Sequence, residues 1–294
     1  MTAPQALEVA VLGVGLHGDG LGASWSEVRA RWRGETVSDT ESALLTAKPQ
    51  ATLLPPAERR RAPATVSLAL AVAEQACRQS GLSPQGMRSV FCSAHGDLEI
   101  TDYLCATLAE SPEHLSPTKF HHSVHNAASG YWTIGVGNRQ ASTAMSAGPY
   151  SFAQALLEAA IQAISEQVPV LLVAYDMPAP GRLAPITQST ALLGIALVLA
   201  PPDAGHATPT LALRLDASST SEPLDLKGHS AATTALLGRN PMAVGLPLLE
   251  SLANIDQDSA SRSVRFAFSQ GLTLDAGVNM HVNRAHPGAK TGED

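Results

Sequence analysis

The chain has 294 residues and a formal net charge of −7, with 45% hydrophobic, 4% aromatic and 15% charged residues. This much apolar and this little charged content excludes a disordered chain, and the net acidity argues against a dedicated nucleic-acid binder. Three cysteines are too few for a disulfide framework at this length and point to a reducing compartment.

The length suits one large domain or two small ones. The longest apolar runs, 170–174 and 195–202, are far below the roughly 20 residues of a membrane-spanning helix. The N-terminal run 7–13 lacks a basic lead-in and reads as a first strand rather than a signal peptide. A soluble, cytoplasmic protein without a membrane span is expected. Abundant alanine and scarce aromatics favour a layered α/β protein whose helices approach a sheet closely.

In chain order, residues 7–14 are a predicted strand ending in glycines. Residues 24–33 are a short surface helix with Trp25, Val28 and Trp32 on one face, and 35–60 a polar loop rich in proline. Residues 65–80 hold no Gly or Pro and are apolar around much of the circumference, which predicts a buried helix stopped by Gly81. A buried strand at 89–93 leads through a polar turn to a helix at 102–108, with Cys105 as a core thiol. Helices are expected at 127–136 and 151–167, separated by a short strand at 141–145. The runs at 168–176 and 194–200 lack alternation, as do strands covered on both faces. Further on come a strand at 211–215, an irregular stretch at 216–232 and a helix at 242–253. A hairpin follows, with arms 263–268 and 272–280, and then a disordered tail from 284.

The stretch Ser116-Pro117-Thr118-Lys119-Phe120 through Ser123-Val124-His125-Asn126-Ala127 to Gly130 is the most unusual in the chain. With the small-residue turn Thr143-Ala144-Met145-Ser146-Ala147-Gly148, the Ala-rich helix after it and the strand at 170–174, it resembles the N-terminal half of β-ketoacyl synthases, which have the thiolase fold. The resemblance covers roughly 7–200. It is narrower still to short, single-half members that resemble chain-length factors of aryl-polyene and other type II polyketide or fatty-acid systems.

The resemblance implies a layered thiolase-like half, a mixed sheet covered by helices, truncated relative to a full synthase. It implies a ketoacyl-synthase N-terminal-like domain over 1–202, a short extension packing on it over 203–283, and the tail 284–294. A condensing enzyme of this family carries a nucleophilic cysteine at a strand-to-helix turn, where a helix N-terminus lowers its pKa, and two histidines from its second half. Here the corresponding motif reads Thr143-Ala144-Met145, a gapless register moves the position a few residues on, and no cysteine follows Cys105. A thioether has no proton to lose and forms no acyl-enzyme. About 94 residues remain after position 200, too few for a matched second half. Lys227-Gly228-His229-Ser230 echoes the lysine and Gly-His-Thr segment of synthases, but follows the nucleophile turn too soon to be its equivalent.

Several residues carry competing readings. His121, His122 and His125 have the spacing of a metal cluster, yet without a nearby cysteine or an HExxH pattern they are expected to line a subunit interface or cap a turn. Asn126 is expected to bond backbone before the following helix. Ser146 lies one small residue away from a G-x-S-x-G elbow, which leaves open a serine hydrolase or acyltransferase using Asp176 with His206, His229 or His281. Cys77 and Cys92 read as buried structural thiols. Gly13-Val14-Gly15-Leu16-His17-Gly18 fails the spacing of a dinucleotide fingerprint. Arg59-Arg60-Arg61 is a solvated lead-in or a docking patch for an acidic carrier protein.

The expectation is thus a non-catalytic subunit, without cofactor or metal. It pairs as a heterodimer with a β-ketoacyl synthase and contacts acyl carrier protein. Phe120, His121, His122, Ser123, His125, Asn126 and Met145 are its interface or tunnel candidates. A stand-alone acyl- or carrier-binding module is the third possibility.

Overall fold

The computed structural model describes residues 6–35, 49–202, 208–217, 228–256 and 262–281. The expected tail 284–294, together with His206 and Lys227, lies outside them.

Eight strands form one sheet: β1 (Leu7–Gly18), β2 (Arg88–Cys92), β3 (Ser142–Met145), β4 (Val170–Asp176), β5 (Leu193–Ala200), β6 (Thr208–Asp216), β7 (Arg262–Ser269) and β8 (Leu272–His281). Their order is β3-β2-β4-β5-β1-β6-β8-β7. β2 runs parallel to β3 and β4, and every other neighbouring pair is antiparallel. The architecture is therefore α/β with a mixed sheet, and the segment after residue 202 continues that sheet through β6, β8 and β7.

Two apolar layers sandwich the central strands. One holds α3 (Ala64–Ser80) and α6 (Ala127–Val136), packed on Leu171 and Val173 of β4 and Ala196 and Val198 of β5. The other holds α1 (Trp25–Trp32), α7 (Ser151–Glu166) and α10 (Leu246–Ala253), packed on Val170, Leu172 and Ala174 of β4. Successive side chains of β4 thus enter opposite cores, which is why its sequence is apolar throughout. The β7–β8 hairpin curls onto α7: the Phe152 and Phe266 rings lie 5.6 Å apart, and Gln154 Nε2 donates to Phe268 O at 2.9 Å.

The glycines at 13 and 15 do not end the first strand, as expected from sequence, but lie inside it. A Cβ on Gly13 would sit 2.1 Å from Ala76 O, and one on Gly15 2.0 Å from Val72 O. They are glycine because α3 lies directly on β1. Beyond Ala10, β1 loses its β6 neighbour, and α3 supplies acceptors in its place. Gln79 Oε1 takes the Val14 N–H at 2.6 Å and Gln75 Oε1 the Leu16 N–H at 3.2 Å.

Other boundaries also move. The expected loop before the buried helix contains α2 (Pro56–Arg61), started by a proline in its first turn. The helix expected at 102–108 is α4 (Leu98–Glu110), begun by the Asp97 cap, and it buries only Ile100. Cys105 is exposed there, not a core thiol. Within the Ser116–Gly130 motif, α5 (Pro117–His122) forms behind the Ser116 cap. After the one-turn α8 (Ala184–Thr187), the stretch expected to be irregular around 216–232 gives way at Ala231 to α9 (Ala231–Leu236), capped by Ser230. The helix expected at 242–253 splits into a 3-10 turn, Pro241–Gly245, and α10, where Gly245 faces the Phe152 ring too closely for a Cβ.

Candidate functional site

The parallel strands β2, β3 and β4 end side by side at Cys92, Met145 and Asp176. The carboxyl ends of parallel strands are where open α/β sheets place their sites.

β3 is the edge strand, and the turn leaving it leads through Gly148–Tyr150 into α7. Ala144 pairs with Phe91, and Met145 is half-buried against the α7-side core. Thr143 Oγ1 accepts from Gln162 Nε2 of α7 at 3.2 Å. Ser146 is exposed, and its Oγ donates to Ala94 O at 3.0 Å. Ser151 Oγ accepts the Ala147 N–H at 2.9 Å and donates to Gly148 O at 2.8 Å, which fixes the turn. No thiol stands anywhere on it.

The loop after β2 is held from below by Asp176, which is 1% exposed. Its carboxylate accepts from Ser93 Oγ at 2.7 Å, Ala94 N–H at 2.9 Å and His95 N–H at 3.4 Å. Burial raises the Asp176 pKa, with the bonds from Ala94 and Ser93 opposing the shift. Asp97 then caps α4: its Oδ1 accepts from Ile100 N–H at 2.9 Å and its Oδ2 from Thr65 Oγ1 at 2.7 Å. The sequence signal for this was an aspartate just before a helical pattern; nothing in it pointed to Ser93 and Asp176 meeting across 83 positions.

The three histidines do not converge on one point, and two of them bond within the loop and helix around them. His125 Nε2 bonds Ser93 O at 3.0 Å, His122 Nε2 bonds the Tyr131 hydroxyl at 3.0 Å, and His121 is exposed. Among the described residues no group of three His, Cys, Asp or Glu side chains is placed to hold a metal ion. Ser123 Oγ donates to Phe120 O at 2.8 Å. Asn126 fixes the loop through its carbonyl, which accepts from Gly130 N–H and Ser129 Oγ, not through its side chain, which makes no cap.

Among the described residues the hydrolase arrangement does not assemble. Ser146 Oγ donates to a backbone carbonyl, and the Asp176 carboxylate is taken up by Ser93 and two backbone N–H groups rather than by an imidazole. His229 Nδ1 lies 2.5 Å from Glu250 Oε2 on α10, while the other carboxylate oxygen, Glu250 Oε1, accepts from Ser230 N–H and Thr233 Oγ1. Cys77 and Cys92 are buried, and desolvation pushes the Cys77 thiol up to about 12 and the Cys92 thiol well above its ordinary range.

α5, the corner after it and α6 each leave a large apolar side chain exposed. Phe120 is 64% exposed, Val124 50% and Ile134 84%. Large apolar side chains with this much exposure on one stretch of chain are candidates for an interaction surface, and β3, against which α6 packs, is the edge strand of the described sheet and a further open binding element.

Residues 30–253 match the family model described as the β-ketoacyl synthase N-terminal domain. No curated protein matches the sequence. Among solved structures, a chain of the ketosynthase ApeO in complex with its chain length factor ApeC, from Xenorhabdus doucetiae, is similar at a TM-score of 0.65 and 22% identity, over 92% of this chain and 99% of that one. A chain of the AntDE:AntF complex, a type II polyketide acyl-carrier protein with its ketosynthase, gives 0.67 and 12% over 93% and 99%. The ishigamide ketosynthase/chain length factor gives 0.63 and 14% over 93% and 99%. At these identities the likeness is one of fold. No helix among the described residues is long and apolar enough to cross a membrane.

Proposed function

We propose, from the premise that this chain belongs to the β-ketoacyl synthase N-terminal domain family, that it is a non-catalytic, chain-length-factor-like partner of a competent β-ketoacyl synthase. The observation that carries this reading is the turn between β3 and α7, which holds Met145 and Ser146 and no thiol. Without a thiolate the chain cannot take an acyl group from its carrier as a thioester.

The exposed side chains of Phe120, Val124 and Ile134, together with the β3 edge, are what a heterodimer would bury in this reading. Solved relatives of the same fold include chains from ketosynthase/chain length factor complexes, which supports the assignment of partner class. Met145, half-buried at the end of β3, is the residue assigned to closing an acyl tunnel in this reading, since a flexible thioether fills irregular apolar space. The three arginines at the end of α2 offer a cationic contact for acidic acyl carrier protein. The product is of the polyketide or fatty-acid type, aryl polyene among them, and the compartment is the cytoplasm.

The test is reconstitution. The synthase encoded nearest this chain is assayed with carrier protein and malonyl substrate, with and without it, and product lengths are read by mass spectrometry. A defined length distribution that appears only with the chain supports the reading. An identical distribution in its absence overturns it. A serine hydrolase is the second reading, and the Ser146–Ala94 bond weighs against it.

A further inference from the structure

We propose that His122 and Tyr131 form a pH-sensitive clasp between α5 and α6 that sets the shape of the exposed apolar face. The two side chains meet at 3.0 Å, Nε2 to hydroxyl, with ring centroids 5.9 Å apart. His122 is the last residue of α5 and Tyr131 lies in the second turn of α6, so the contact closes the corner formed by residues 123–126. Phe120 sits two residues before the clasp, Val124 two after it, and Ile134 nearly one turn beyond Tyr131. A change at the clasp therefore moves all three apolar side chains relative to one another.

Protonation changes the clasp because of where it lies. His122 is 8% exposed. In the neutral state one partner donates and the other accepts. Once His122 is charged, Nε2 donates to the phenol oxygen and the phenol must turn its own proton elsewhere. His121 packs its ring 5.6 Å from His122, so a second charge on α5 opposes the first. The remaining charged groups facing the pair are Asp97 before α4 and Glu58 and Arg61 on α2. Neither carboxylate is hydrogen-bonded to His122: Asp97 is committed to Ile100 and Thr65. Burial, then His121, lowers the His122 pKa, and burial, then Glu58, raises that of Tyr131.

The sign follows. A histidine whose folded pKa lies below its unfolded value leaves the unfolded chain to take up the proton first. The stability it contributes is complete above the unfolded pKa and is lost as the pH falls toward the folded one. Acidification thus makes the α5–α6 corner easier to open, because a charge on the buried ring beside His121 is costly even though Nε2 can still donate to the phenol. The link from that face to a partner rests on the assembly reading above; the clasp itself does not.

The test uses the full chain alone. Hydrogen exchange over residues 117–136, corrected for intrinsic rates, is measured between pH 7.5 and 5.5 in the parent, His122→Gln and Tyr131→Phe. Gln keeps an acceptor for the phenol but does not titrate. The parent is expected to open more at pH 5.5 by roughly threefold to tenfold, and His122→Gln to show no such change while keeping the parent's protection at pH 7.5. Tyr131→Phe is expected to lose protection at both values. A parent and a His122→Gln profile that stay parallel overturn the clasp. If the clasp holds but synthase binding shows no pH dependence, the link from the clasp to the partner face fails; if no synthase binds at any pH, the assembly reading fails and the clasp does not.

Discussion

Gly15→Ala tests how closely α3 is seated on β1. The added Cβ would lie 2.0 Å from Val72 O, against 3.4 Å for ordinary contact, so about 1.4 Å must be found by backbone movement. No flexible side chain can give way, because the obstacle is a carbonyl inside a 17-residue helix. Lifting α3 opens gaps beneath Leu68, Ala69, Val72, Ala73 and Ala76, all fully buried. A gap of 0.5–1 Å already forfeits about a quarter to a half of each contact. The expected cost is about 3 kcal/mol, at the upper end for overpacking, or on the order of 6–10 °C in Tm. Thermal and urea unfolding of the full chain are the assays. Gly130→Ala is the comparison: nothing lies within 4 Å of its Cβ and it sits in α6, so it should be neutral or stabilising by up to about 1 kcal/mol. Equal stabilities for the two variants would refute the direct contact of α3 with β1.

Ile134→Asp and Phe120→Ser should leave the isolated chain within about 0.5 kcal/mol of the parent, while weakening synthase binding by at least about 30-fold, as loss of an interface anchor does; titration calorimetry checks this. Asp176→Asn should destabilise the chain by about 2 kcal/mol, because an amide cannot accept from Ser93, Ala94 and His95 together. The Asp176 pKa is raised in the fold, so its contribution is complete below the unfolded carboxylate pKa and falls as the pH rises toward the folded one. Parent unfolding curves should show that decline over the acidic range, and Asp176→Asn should lack it. A fluorophosphonate probe should leave Ser146 unlabelled, and labelling abolished by Ser146→Ala would restore the hydrolase reading.

The parts of the fold that depend on composition within one element were legible in the sequence. The apolar run of β4 could only be a strand covered on both faces, and the helix before Gly81 ends at a left-handed residue as its sequence suggested. Where a residue answers to a distant element, the local reading failed. Gly13 and Gly15 look like a turn because the reason for them lies 60 positions away, in the carbonyls of α3. Cys105 sits in an apolar helix and was expected in the core, but α4 leaves that face to solvent. The spacing of the histidine run shows neither that His125 bonds Ser93 nor that His122 bonds Tyr131, because both partners are set by how α5 and α6 pack. That no cysteine follows Cys105 was legible outright, since it depends only on which residues are present. The buried contact of Asp176 with Ser93 was not, since neither belongs to a motif.

The central claim is assembly with a synthase, and the most direct measurement of it is the native mass of the purified complex. The chain is co-expressed with a tagged copy of the nearest encoded synthase, and the eluate is analysed by native mass spectrometry. A one-to-one complex that dissociates on Ile134→Asp is the expected result. A synthase that elutes as its own dimer, with this chain absent or bound equally well in parent and variant, would contradict the account.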